Sequence, residues 1–168
     1  MAVCASETFT STSAPIQHAA VSAFSENPEI DRYLDQVRHI LAAVGRYSYD
    51  VLAAAGLFMP EPQGGFYLMP DFEHFRAGLL RKNISTDRDM CRALLDEAGV
   101  ALLPGSDFGS RPGTLRTRLS YVDFNGEKVL EASAQLPNGA APDRAFVEKH
   151  CPKMVEGLQA LTGWLRRL

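Results

Sequence analysis

The residues best suited to chemistry lie in the run Thr114 to Phe124, where apolar and polar side chains alternate. In an extended strand Leu115, Thr117, Leu119 and Tyr121 share one face, and Arg116, Arg118, Ser120 and Val122 share the other. An unpaired guanidinium is costly to bury, so each arginine needs a carboxylate partner or contact with water. Two readings stay open at this point. Either this is an edge strand whose arginines are solvated or paired with surface acids, or one arginine projects into a cleft and grips a ligand carboxylate bidentately. The planar fork of arginine suits that grip better than a lysine ammonium does.

The loop before the strand, Pro104-Gly105-Ser106-Asp107-Phe108-Gly109, places glycines and a proline around one aromatic ring. Such residues permit tight turns and fix where the strand enters, although an ordinary strand-to-strand connector has the same composition. Neither GxGxxG nor GxxxxGK[ST] occurs, so no glycine-rich phosphate loop is present. Cys4, Cys91 and Cys151 lie far apart without CxxC or Cys/His spacing. That pattern argues against structural zinc and a disulfide framework, and for a reducing, cytoplasmic setting.

The elements that must position these residues are legible from periodicity. A chain of 168 residues is one domain of ordinary size, or one domain with an appendage, and 46% apolar with 22% charged residues is a globular balance. Lys and Arg total 17 against 20 Asp and Glu, a net charge of −3, so neither nucleic acid nor an anionic membrane is an expected partner. No apolar run approaches a membrane span, and residues 1–13 lack the features of a secretory leader.

Helices are expected over Ala14 to Phe24 and Pro28 to about Ala55. In the second, Ile30, Tyr33, Leu34, Val37, Leu41 and Val44 form the apolar stripe, and Gly45 is a candidate bend. Leu57 to Met59 and Phe66 to Met69 read as strands around the breaker run Pro60 to Gly65. Asp71 to Lys82 reads as helix, and Thr86 caps another, with Met90, Leu94 and Leu95 facing the core and Gly99 just past its end. Val100 to Pro104 reads as a buried strand, and Asn125-Gly126 as the turn that ends the strand bearing the arginines. A last helix runs from about Asp143 to Leu168, notched by Pro152, with Met154, Leu158, Leu161 and Leu165 on one face. Alternating helices and about four strands imply an α/β or α+β fold, a small mixed or antiparallel sheet covered by helices.

Four segments taken in order sharpen this outline: SAPIQHAAVSAF, PQGGFYLMPDF, LLDEAGVALLPGSDFG and LRTRLSYV. Their sequence and spacing resemble the C-terminal portion of class I/II aminotransferases, pyridoxal-phosphate enzymes of the aspartate-aminotransferase fold, fold type I. The resemblance covers essentially the whole chain. It implies transfer of an amino group between an amino acid and a 2-oxo acid, with pyridoxal phosphate as electron sink on an active-site lysine. It also implies that Arg118, which opens Arg118-Leu119-Ser120-Tyr121, holds the substrate α-carboxylate. Arg116 is expected to pair with an acid or face outward. The Phe66-Tyr67 strand resembles the segment near the active-site mouth, although its rings are expected in the core. Thr8 to Ser13 resembles a loop that reaches the neighbouring subunit in a homodimer.

The resemblance also marks a departure. Lys82, Lys128, Lys149 and Lys153 all fall in polar helix or loop positions, and none sits in the Ser-x-x-Lys segment that carries the Schiff base. The expected organisation is therefore a terminal strip of the large, cofactor-binding domain over residues 1–27, followed by the small domain over 28–168. Such a chain contributes the carboxylate clamp and is inactive in transamination by itself. The missing large domain or a homodimer partner would complete it. The alternative is a non-catalytic carboxylate-binding or subunit-interaction module.

Overall fold

The structure, a computed structural model, describes residues 12–137 and 140–168. Thr8 to Ser11, and with them most of the stretch expected to reach a neighbouring subunit, lie outside the described residues, as does Cys4. The chain divides into two compact units, residues 1–35 and 36–168.

In the first unit, helix α1 (Ala14–Phe24) carries a proline in its first turn and buries no residue. Ile16, Val21 and Phe24 are exposed, Phe24 to 91%. Ser25 adopts an extended backbone and ends the helix. Asn27 then accepts a hydrogen bond from the Glu29 amide at 2.9 Å and opens helix α2 (Pro28–Ala54). Glu29 and Asp31 lie in its first turn, where the helix dipole favours acids. Tyr33 and Leu34, expected in the apolar stripe, are exposed. Burial along α2 begins at Ile40 and continues through Val44, Tyr47 and Leu52.

Gly45 does not bend α2, which continues through it. Its lack of a side chain serves packing instead, because a β-carbon there would lie 2.9 Å from the Tyr121 ring. Gly56, at φ +91°, stops the helix in a conformation that favours glycine.

The second unit is built on a three-stranded antiparallel sheet: β1 (Tyr67–Leu68), β2 (Leu103–Pro104) and β3 (Thr117–Ser120), in the order β1-β3-β2. Tyr67 pairs with Ser120 and Leu68 with Leu119; Leu103 pairs with Arg118 and Pro104 with Thr117. The arginine-bearing strand is thus central, and the edge-strand reading is overturned. Single hydrogen bonds extend its pairing at both ends, from Phe72 N to Leu115 O at 2.8 Å and from Tyr121 N to Phe66 O at 3.1 Å.

The expected strand Leu57 to Met59 shrinks to one bridge between Phe58 and Asp71. The prolines at 60 and 62 remove the donors a longer ladder would need. Leu103, expected to be buried, is 47% exposed, while Leu102 beside it is buried.

After Asp71 the chain makes a 3₁₀ turn (Glu73–Phe75) and then helix α3 (Arg76–Arg81), shorter than the helix expected from Asp71. The Asp71 backbone is taken up by its bridges to Phe58 and Arg116, which delays the helix. Helix α4 (Asp87–Ala98) is capped by Thr86, whose Oγ1 accepts from the Asp89 amide at 3.1 Å, and closes at Gly99 with φ +66°. Met90 and Leu94 are buried, whereas Leu95 is exposed. Asn125-Gly126 makes no simple turn. The Asn125 side chain accepts from the Lys128 amide at 3.0 Å and caps a further helix, α5 (Gly126–Ala134).

The last expected helix is two. Helix α6 (Arg144–His150) is capped by Asp143, and helix α7 (Pro152–Leu165) begins after a break at Cys151. Proline in the first turn of α7 loses no intrahelical hydrogen bond. Met154, Leu158, Leu161 and Leu165 are buried together as their spacing predicts, and α7 packs on α4. Trp164 is fully buried and its indole N–H donates to Glu97 at 2.9 Å. The Lys82 ammonium lies 2.6 Å from the same carboxylate oxygen. Among the described residues no helix is long and apolar enough to cross a membrane.

Candidate functional site

Alternation along β3 sorts its side chains as the sequence implies. Leu115, Thr117, Leu119 and Tyr121 are buried, Arg116 and Ser120 are exposed, and Arg118 is half-buried. The inward face anchors the strand in the core. The outward face carries both cations.

The two arginines meet different surroundings. Arg116 Nε donates to Asp71 Oδ2 at 2.8 Å, as expected of an arginine that pairs with an acid. Arg118 has its guanidinium carbon 4.3 Å from the centroid of the Tyr67 ring and 3.9 Å from that of Phe108. Among the described residues the Arg118 side chain has no hydrogen-bond or ion-pair partner.

Tyr67 reaches Arg118 because of register. It lies directly opposite Ser120, so it is the diagonal neighbour of Arg118 on the same face of the sheet. The expectation that the Phe66 and Tyr67 rings sit in the core is therefore corrected. Both are partly exposed, and Phe66 packs at 4.2 Å against Tyr67.

Phe108 arrives through the turn after β2, a 3₁₀ segment over Gly105–Phe108. The Gly105 amide donates to Arg116 O at 2.8 Å, and a β-carbon on Gly105 would lie 2.8 Å from that oxygen, so only glycine lets the turn approach β3 so closely. The Ser106 amide donates to the buried carboxylate of Asp87 at 2.7 Å, and Asp107 pairs with Arg88. The turn is thereby fastened to the first turn of α4. Gly109, at φ +84°, closes it.

The sequence singles out Arg118 but not the two rings that contact it. Phe108 had a signal, a lone ring framed by glycines. Asp87 reads in the sequence only as an acid at a helix start, with nothing to announce its role as an anchor.

The arrangement offers a cation whose donors are unspent, on an open face of the sheet. Arg118 lines none of several surface clefts of about 260–450 Å³ among the described residues. The four lysines are all exposed. Lys82 is paired with Glu97, Lys128 lies in the first turn of α5, Lys149 in the last turn of α6, and Lys153 in the first turn of α7.

The sequence profile of the family described as aminotransferase class I and II matches residues 3–134. Over 76 residues, 45% of this chain, the chain is 43% identical to a probable N-acetyl-LL-diaminopimelate aminotransferase of Bacillus subtilis (strain 168), covering 17% of that protein. Over 116 residues, 68% of this chain, it is 30% identical to a probable aspartate/prephenate aminotransferase of Aquifex aeolicus (strain VF5), covering 27% of it. The crystal structure of an aromatic aminotransferase from Pyrococcus horikoshii OT3 superposes with a TM-score of 0.61 at 23% identity, covering 90% of this chain and 31% of that one. The last likeness is one of fold, and this chain spans less than a third of each of these proteins. Since the profile match takes in well over half of its residues, the chain belongs to the class I and II aminotransferases.

Proposed function

We propose that this chain provides the substrate-carboxylate grip of a pyridoxal-phosphate-dependent aminotransferase, with Arg118 as the residue that holds the carboxylate. The substrates in this reading are an amino acid and a 2-oxo acid. The observation that carries it is the free guanidinium of Arg118 beside an Arg116 already neutralised by Asp71. A carboxylate accepting two parallel N–H bonds from Arg118 is fixed in both position and plane, which is how such a clamp orients the rest of its ligand.

The cofactor implied by the family supplies an electron sink for charge developing at the substrate α-carbon. The described residues do not fit it, because every lysine stands exposed on a helix or at its end and none is among the side chains that contact Arg118. In this reading the cofactor lysine belongs to residues outside this chain, in a large domain or a homodimer partner. Residues 1–27 are then a strip of that large domain and 28–168 the small domain, and the chain by itself does not catalyse transamination. A cytoplasmic setting belongs to the same proposal, in keeping with the unbridged, buried thiols of Cys91 and Cys151.

The exposed setting of the lysines equally suits a second reading, a carboxylate-binding or subunit-interaction module without chemistry. Calorimetric titration of the chain with 2-oxoglutarate tests what the two share: binding is expected, and its persistence in Arg118→Lys overturns the grip. Adding pyridoxal phosphate to the chain is expected to give no visible absorbance of a lysine-bound cofactor. One borohydride-trapped lysine adduct per chain would overturn the proposal that the cofactor lysine lies elsewhere.

A further inference from the structure

The two outward arginines of β3 are held by different means, and the difference has chemical content. A carboxylate satisfies a guanidinium by accepting its N–H groups, as Asp71 does for Arg116. An aromatic face attracts the cation through its quadrupole and accepts none of them. A guanidinium held by rings is therefore fixed in place while its five donors stay available to a planar anion.

The geometry points to Tyr67 and Phe108 as positioning residues that hold the Arg118 guanidinium ready for an incoming carboxylate, an inference that rests on the proposed carboxylate grip. The rings come from separate elements, β1 and the turn after β2, so they restrain the cation from two anchor points. Neither ring is spent on the core, for Tyr67 is 40% exposed and Phe108 44%. Each is backed by its own support, Tyr67 by the Phe66 ring and Phe108 by a turn tied to Asp87 and Arg88. Leu103, directly opposite Arg118 in the register, offers no side-chain acceptor to compete with a ligand. Two rings also displace water from around the cation, and a contact with an anion strengthens as local water is removed.

The test uses the full chain labelled with ¹⁵N, the Arg118 Nε–H resonance being identified by its loss in Arg118→Lys. Ring currents are expected to set this resonance apart from those of the other exposed arginines. Tyr67→Leu and Phe108→Leu should each move it toward them, while Tyr67→Phe, which keeps the ring, should leave it in place. With acetate titrated against chloride at equal ionic strength, the doubly substituted Tyr67→Leu/Phe108→Leu chain should bind about tenfold more weakly. An Nε–H resonance unmoved in leucine variants whose amide spectrum is otherwise unchanged overturns the inference, as does an acetate affinity equal to that of the unaltered chain. If acetate binds none of the chains while the leucine variants still move the resonance, the carboxylate grip falls and the positioning of Arg118 by the two rings stands.

Discussion

The phenol of Tyr121 lies against the backbone of Gly45, so that a β-carbon at position 45 would stand 2.9 Å from both its Cζ and its Oη. The same hydroxyl donates to Gly65 O at 3.0 Å. One ring thus joins the end of β3 to the middle of α2 and to the Gly64-Gly65 turn that leads into β1. Gly45→Ala should destabilise the chain by about 1–3 kcal/mol through overpacking, despite the better helix propensity of alanine. Gly157 in α7 has no heavy atom within 4 Å of a β-carbon built on it, and Gly157→Ala should stabilise by about 0.5–1 kcal/mol. Urea midpoints of the two variants check both signs. Equal shifts would show that the Tyr121 contact does not limit position 45.

The arginines of β3 should separate cleanly on substitution. Arg118→Lys should weaken binding of a 2-oxo acid by about tenfold or more, since an ammonium cannot make the two parallel bonds of the fork. Arg116→Gln should leave that affinity within about twofold. It removes an ion pair whose arginine is 51% exposed, which contributes at most about 1 kcal/mol to stability. Calorimetry with matched thermal melts distinguishes lost binding from lost fold.

The buried thiols carry a pH dependence. Burial pushes Cys91 from an ordinary value of 9.0 up to about 12, with Asp87 and Asp107 adding repulsion, and pushes Cys151 up to about 11. A thiol that titrates near 11 rather than 9 holds about a hundredfold less thiolate at pH 8. In a Cys4→Ser chain both thiols should therefore react with a disulfide reagent at least about a hundredfold more slowly when folded than in denaturant. The folded pKa values lie above the unfolded ones, so this contribution to stability is complete below pH 9 and declines as pH rises toward 11 and 12. Stability measured between pH 8 and 10.5 should fall, and less steeply in Cys91→Ala once its cavity cost at pH 8 is subtracted.

Helix α1 buries nothing, and Ile16, Val21 and Phe24 stand exposed along it. Apolar surface of this kind favours association. The chain should self-associate with rising concentration, and Ile16→Ser/Phe24→Ser should raise the monomer fraction in sedimentation velocity without changing the melting of the second unit. A chain that stays monomeric throughout, with or without those substitutions, would contradict this.

Much of the architecture is legible in local chemistry. Thr86 and Gly99 bracket α4, and the spacing of Met154, Leu158, Leu161 and Leu165 marks the buried face of α7, because caps and periodicity are local properties. Errors arise where one residue pair serves two local structures. Asn125-Gly126 suits a turn and a helix start equally, and only the amide of Lys128 in place beneath Asn125 decides for the helix. Tyr67 has the composition of a core strand, but register against Ser120 turns it toward Arg118. The outward arginines suggest an edge strand, and β3 is central because its pairing partners lie about fifty residues before it in β1 and about fifteen before it in β2, beyond the reach of any local pattern. Arg118 was legible because alternation alone assigns its face, whereas Phe108 depends on a turn whose path is set by Gly105 and Asp87.

Among the described residues, four-residue β3 is the one strand that both of its two-residue neighbours touch. A slip of one position would rotate Thr117 outward and drive Arg118 into the apolar interior. Alignment and the proposed ligand grip would therefore fail together. Misregistered copies would lack the burial needed to persist, so a well-packed population with Arg118 turned inward is closed off, and proofreading of this strand is built into its alternate buried side chains.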